Sequence, residues 1–214
     1  MKIGIIGTGD VGQVLGAGLA AAGHDVMIGS RDPKSEKVTA WVERTKGKSG
    51  TFAETAAFGE IIILATLWAG TENAISLADP KNLAGKVVID ATNPLDFSAG
   101  FPPKLALGHT NSGGEQVQRW MPDAHVVKAF NTVGNAFMVN PDFPCGPPDM
   151  FICGNDAEAK KRVTALCAEL GWPETIDIGG IEGSRYLEPM CILWVLYGAS
   201  TNRWDHAFKL LHKA

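Results

Sequence analysis

Apolar and polar positions alternate between two periods along this chain. Ile3 to Ile6 and Val26 to Ile28 are short apolar runs, and the stretch from Val11 to Ala22 between them is apolar and small at helical spacing. The unit reads as strand, turn, helix, strand. Ile61-Ile62-Ile63-Leu64-Ala65 is apolar at every position, the pattern of a parallel strand buried on both faces. Val87 to Asp90, His125 to Ala129 and Asp149 to Cys153 repeat that signal, and Pro173 to Ile178 adds a short last strand.

Helices are expected between these strands, over Pro33 to Lys46, Thr51 to Phe58, Thr71 to Leu77, Ser112 to Met121 and Asp156 to Leu170. Thr51 with Glu54 forms a capping box, and Asp32 before Pro33 is expected to cap the helix that follows. Gly47 to Gly50 reads as a break. Phe97 to Gly113 and the proline-rich Asn140 to Pro148 read as loops, the second a candidate lid. Gly179 to Ala214 reads as helical, with Pro189 inside it freeing the carbonyl of Arg185 and bending the helix. Strands alternating with helices predict a doubly wound α/β fold with a mostly parallel sheet. The expected division is a domain over residues 1–178 with a small helical extension over 179–214.

The first turn carries the chemistry. Gly7-Thr8-Gly9-Asp10-Val11-Gly12 fits G-x-G-x-x-G directly after a strand and at the start of a helix. In that setting the first glycine makes the turn, the second admits a pyrophosphate and the third lets helix and strand pack closely. The pyrophosphate would rest on the helix N-terminus. The second strand then ends in Gly29-Ser30-Arg31. A carboxylate there would select NAD. A hydroxyl and a guanidinium attract a 2′-phosphate instead, so the sequence predicts NADP. Three later strands end in Thr66, Asn93 and Asn131, at the carboxyl edge where ligands bind in such sheets. Ala65 to Trp68, Asn93-Pro94 and Asn131 are therefore candidate cofactor-facing residues.

Composition narrows the rest. At 214 residues, 45% hydrophobic and a net charge of −4, the chain suits one globular domain with an appendage and carries no basic field for nucleic acid. No run has the length of a membrane span, and the glycine turn interrupts any signal-peptide pattern. Cys145, Cys153, Cys167 and Cys191 lack C-x-x-C spacing, and the five histidines are scattered. These features predict reduced thiols, no metal and a cytoplasmic protein.

With Leu64 to Trp68, Val126 to Thr132, Ile152 to Asp156 and Gly183-Ser184-Arg185-Tyr186-Leu187-Glu188-Pro189, the two N-terminal motifs resemble the NADPH-dependent reductases of the deazaflavin coenzyme F-420. The likeness extends to the dinucleotide-binding domain of six-transmembrane metalloreductases and covers nearly the whole chain. It implies a Rossmann domain with a small C-terminal helical part. It also implies that Thr8 to Val11 hold the pyrophosphate, that Ser30 and Arg31 hold the 2′-phosphate, and that the loops after Ala65, Leu95 and Asn131 surround nicotinamide and acceptor. Lys34, with Lys37 beyond it, stands at a shifted spacing from a lysine that the family often carries.

The implied reaction is hydride transfer between NADP(H) and a small-molecule acceptor, a deazaflavin or flavin, with no catalytic side chain required. Two alternatives stay open: an NADP-dependent reductase of a carbonyl or imine, which needs a proton donor, and a non-catalytic NADPH-binding sensor. The apolar C-terminal residues, Trp194, Tyr197 and Trp204 among them, predict a homodimer.

Overall fold

The computed structural model describes residues 1–213. β1 (Lys2–Ile6) leads through the glycine turn into α1 (Asp10–Ala21), β2 (Asp25–Gly29), α2 (Glu36–Thr45), β3 (Lys48–Gly50), α3 (Phe52–Phe58) and β4 (Ile61–Leu64). The second half runs α4 (Trp68–Ala78), β5 (Val87–Asp90), β6 (Leu95–Asp96), β7 (Lys104–Leu105), α5 (Gly113–Trp120), β8 (His125–Lys128), β9 (Met150–Gly154), α6 (Ala157–Glu169), β10 (Thr175–Asp177) and α7 (Ser184–Thr201). Eight strands form one sheet in the order β10-β9-β8-β5-β4-β1-β2-β3. All pairs are parallel except β8 with β9. β6 and β7 make a separate antiparallel pair. This is the doubly wound Rossmann arrangement, and its order reverses between β1 and β4.

Burial follows the strand periodicity. Ile61 and Ile63 join the core under α1, α2 and α6, whereas Ile62 and Leu64 join the core on the opposite face with Ala74, Ile75 and Val117. A strand covered by helices on both faces has no polar position to offer, which explains the unbroken apolar run. Trp41 is fully buried and its Nε1–H donates to the Gln13 carbonyl (3.0 Å), tying α2 to α1.

The Thr51–Glu54 capping box is present in both directions. α2 begins later than expected. Asp32 Oδ1 accepts the Lys34 N–H (3.1 Å), so its carboxylate closes a turn, and the helix opens behind Ser35. The glycine-flanked β3 pairs with β2 as a short edge strand where only a break was expected. The largest correction concerns the C-terminus. α7 passes through Pro189 as one helix but ends at Asn202, which takes a left-handed φ of 53°. Residues 203–213 then run as a non-helical strap; Ala214 lies outside the described residues.

Candidate active site

Gly7 and Gly12 are required by packing. Gly7 has a φ of +124°, and a Cβ on it would lie 2.2 Å from the Ala65 carbonyl, where β1 and β4 diverge. A Cβ on Gly12 would lie 2.3 Å from the Gly7 carbonyl. Gly9 differs: a Cβ there meets nothing within 4 Å, and its φ of −68° suits any residue. The protein itself gives no reason for a glycine at position 9. A ligand approaching the backbone would supply one. Gly9 is also the N-cap of α1, without a side-chain cap, so the first amides of the helix are left for an anion.

These amides open into a cleft of about 900 Å³ across the carboxyl ends of β1, β2, β4, β5 and β8. Thr8, Gly9, Asp10 and Val11 line one end with Ser30 and Arg31. Lys37 also reaches this end, 3.8 Å from the Asp10 carboxylate, whereas Lys34 is exposed outside the cleft. Ala65, Thr66 and Leu67 line the middle, and Asn93 and Asn131 line the far end. Trp68 and Pro94 do not reach the cleft. Trp68 packs on Trp120 with ring centroids 5.4 Å apart, and Pro94 packs beside Gly113.

The two asparagines lock the far end. Asn93 Nδ2 donates to the Asn131 carbonyl (2.9 Å), and Asn131 Nδ2 donates to Asn93 Oδ1 (3.0 Å) and the Leu187 carbonyl (3.1 Å). Asn131 Oδ1 is buried without a partner among the described residues. Phe130 precedes it at a φ of +61°, a costly left-handed conformation for an aromatic residue. Its ring is held edge-on to Trp172 at 6.5 Å.

Behind this wall lies a cluster that the sequence reading missed. Lys128, Asp90 and Glu188 are all buried, and Lys128 Nζ lies 2.7 Å from Asp90 and 2.9 Å from Glu188. It also donates to the Thr92 carbonyl (2.9 Å). Asp90 Oδ1 accepts from the Thr92 N–H and hydroxyl. Glu188 accepts the N–H groups of Gly113 and Gly114 (2.9 Å each), so the extra negative charge sits on the N-terminus of α5. Burial alone pushes the lysine toward neutrality, but the two carboxylates outweigh it and hold Lys128 above its ordinary pKa. A charged residue ending each of two otherwise apolar strands was the available signal. The Glu188 partner was invisible because it comes from another element.

α7 supplies the remaining wall through Cys191, Trp194 and Val195, also missed. Burial pushes the Cys191 thiol up to about 12, so it stays neutral. Asp10, Arg31 and Lys37 are thus the charged residues lining the cleft among the described residues, all at its first end.

The fold and this cleft define a dinucleotide-binding protein of the Rossmann class. A profile described as "NADP oxidoreductase coenzyme F420-dependent" matches residues 2–94. The F420-dependent NADP reductase of Methanocaldococcus jannaschii is 32% identical over 206 residues, covering 91% of each chain. The metalloreductase STEAP3 of Rattus norvegicus is 32% identical over 87% of this chain, which spans only 36% of that protein's length. A crystal structure from Arthrobacter sp. FB24, provisionally described as an F420-dependent NADP-reductase, superposes with a TM-score of 0.95 at 38% identity, covering 99% of this chain and 100% of that one. The chain belongs to the family of F420-dependent NADP reductases, which are NADP-dependent oxidoreductases.

Proposed function

We propose that this protein transfers a hydride between NADP(H) and a flat deazaflavin or flavin-like acceptor. The observation that carries this reading is the polarity of the cleft. One end combines an uncapped helix N-terminus, an otherwise unexplained Gly9, Ser30 and Arg31. The other end has no charged side chain among the described residues and is lined by the amides of Asn93 and Asn131, the neutral Thr132 and Cys191, and apolar groups.

The phosphate end fits NADP. The α1 amides would receive the pyrophosphate, and Ser30 Oγ and Arg31 the 2′-phosphate, with Lys37 rather than Lys34 as the nearby lysine. Bound NADPH supplies a hydride. The protein's part is to hold two rings at near-attack distance and exclude water. Asn93 and Asn131 fix the far end as a rigid polar edge. Residues 1–178 carry the dinucleotide end and the asparagine edge, and α7 adds the remaining wall of the acceptor end.

Carbonyl or imine reduction is less well served. Its proton donor would have to line the far end, where the described residues offer the Thr132 hydroxyl, a very weak acid, and the Cys191 thiol, pushed up to about 12 by burial. Lys128, the nearest ammonium by sequence, is buried between two carboxylates.

The exposed face of α7, with Tyr186, Leu193, Leu196 and Tyr197, supports a homodimer. Light scattering should give twice the chain mass, and a monomer at micromolar concentration refutes the dimer. Among the described residues no helix is long and apolar enough to cross a membrane. Four free cysteines, with Cys145 exposed, support a reducing, cytoplasmic setting.

The test is titration with NADPH and NADH, then addition of F420 or FMN while NADPH absorbance is followed. Tight NADPH binding with rapid oxidation by F420 is expected. Binding without oxidation by either acceptor would favour the sensor alternative, and a preference for NADH would refute the roles of Ser30 and Arg31.

A further inference from the structure

Trp194 is held far more tightly than a simple lining residue needs. Its Nε1–H donates to the His206 carbonyl (2.8 Å), and His206 Nε2 lies 3.0 Å from the Trp194 carbonyl. The imidazole stacks on the indole at 4.8 Å with 21° between planes. Trp204 packs against it at 5.3 Å and sits over Gly198, where a Cβ would be 2.5 Å from its ring. Beyond His206 the strap is pinned to Asp149: the Leu210 N–H donates to Oδ2 (2.6 Å), and the Asp149 N–H donates to the Phe208 carbonyl (3.0 Å). On its other side the indole reaches Gly134, where a Cβ would lie 2.8 Å from Cζ2. Gly134, Asn131 and Trp194 all line the far end of the cleft.

We propose that Trp194 is the specificity-determining wall of the acceptor site, gauging it for a flat conjugated ring, and that His206 of the C-terminal strap is the residue that positions it. This rests on the hydride-transfer reading above. The indole is fixed from the strap side by its own hydrogen bond to the His206 carbonyl and by the imidazole stacked on it, while that imidazole is tied in turn to the Trp194 carbonyl; from the cleft side a glycine yields no room. Such a wall cannot retreat for a bulky acceptor. It also presents aromatic surface to a ring placed between it and the asparagine pair. The strap acts on acceptor choice without touching acceptor or dinucleotide.

Steady-state kinetics of the full chain test this, with F420 and FMN as acceptors. Trp194→Leu and His206→Ala should each raise the F420 KM by roughly fivefold or more, the size expected from losing an aromatic contact. Both should narrow the preference between the two acceptors, with KM for NADPH unchanged within about twofold. Trp194→Phe should restore most of the F420 KM, which a purely structural role would not require. If Trp194→Leu fails to fold, His206→Ala and Trp194→Phe carry the test, with melting curves as control. Folded variants with wild-type acceptor KM and selectivity would overturn the proposal and leave the functional reading intact. A wild-type protein that binds NADPH but neither binds nor reduces F420 or FMN would overturn both.

Discussion

Replacing Lys128 with Met tests the charge cluster behind the cleft. Lys128, Asp90 and Glu188 have side-chain exposures of 0%, 0% and 1%. The Lys128→Met side chain fills similar space but leaves two carboxylates without their cation. Removing one partner of a buried ion pair costs about 3–5 kcal/mol. Asp90 keeps its bonds from Thr92, and Glu188 keeps its two from α5, so the lower part of that range is expected. Part of the cost is avoided if one carboxyl takes a proton, which raises its pKa in the folded variant. A raised carboxyl pKa means that the folded state binds more protons than the unfolded one, so the variant's deficit should shrink as pH falls from 7 toward 5. Glu188→Gln is the companion. It leaves a one-to-one Lys128–Asp90 pair and cannot accept both α5 amides, a loss of about 1–2 kcal/mol. The assay is urea unfolding at several pH values, followed by far-ultraviolet circular dichroism. Lys128→Met within about 1 kcal/mol of wild type, or no worse than Glu188→Gln, would refute the reasoning. In the wild type the raised Lys128 pKa adds stability that is complete below the ordinary lysine value of about 10.4 and fades as pH rises beyond it.

Three further outcomes are expected. Gly9→Ala should change stability by less than about 0.5 kcal/mol yet weaken NADPH binding, whereas Gly7→Ala should destabilise by about 2 kcal/mol or more because of its φ and the Ala65 carbonyl; calorimetry with and without NADPH separates the two. Arg31→Ala should lower NADPH affinity roughly ten- to a hundredfold and leave NADH affinity unchanged, the loss of a charge-assisted phosphate contact. A fluorescence titration with both nucleotides checks it. A thiol reagent at pH 8 should label exposed Cys145 quickly and the other three only after unfolding, since burial pushes Cys153 up to about 11 and Cys167 and Cys191 up to about 12. Mass spectrometry of the labelled peptides reads this out.

Some of this molecule is written locally. The β1–turn–α1 unit, the four apolar positions of β4 and the Thr51–Glu54 box each depend on residues a few positions apart, so the chain alone specifies them, and with them the Rossmann sheet and its dinucleotide end. Ser30 and Arg31 follow because the strand that presents them was already legible. The tertiary structure decided the rest. Asp32 satisfies a turn rather than a helix end, and Lys37 rather than Lys34 lines the cleft. Residues 203–213 have helical character, yet partners on α7 and at Asp149 outbid weak local propensity and draw them out as a strap. Lys128 is stable in the core only because Asp90 and Glu188 arrive from other elements. The acceptor wall at Trp194 likewise exists only once α7 and the strap have closed on the loop at Gly134. Local rules cannot foresee such contacts, since their energies depend on which distant groups burial brings together.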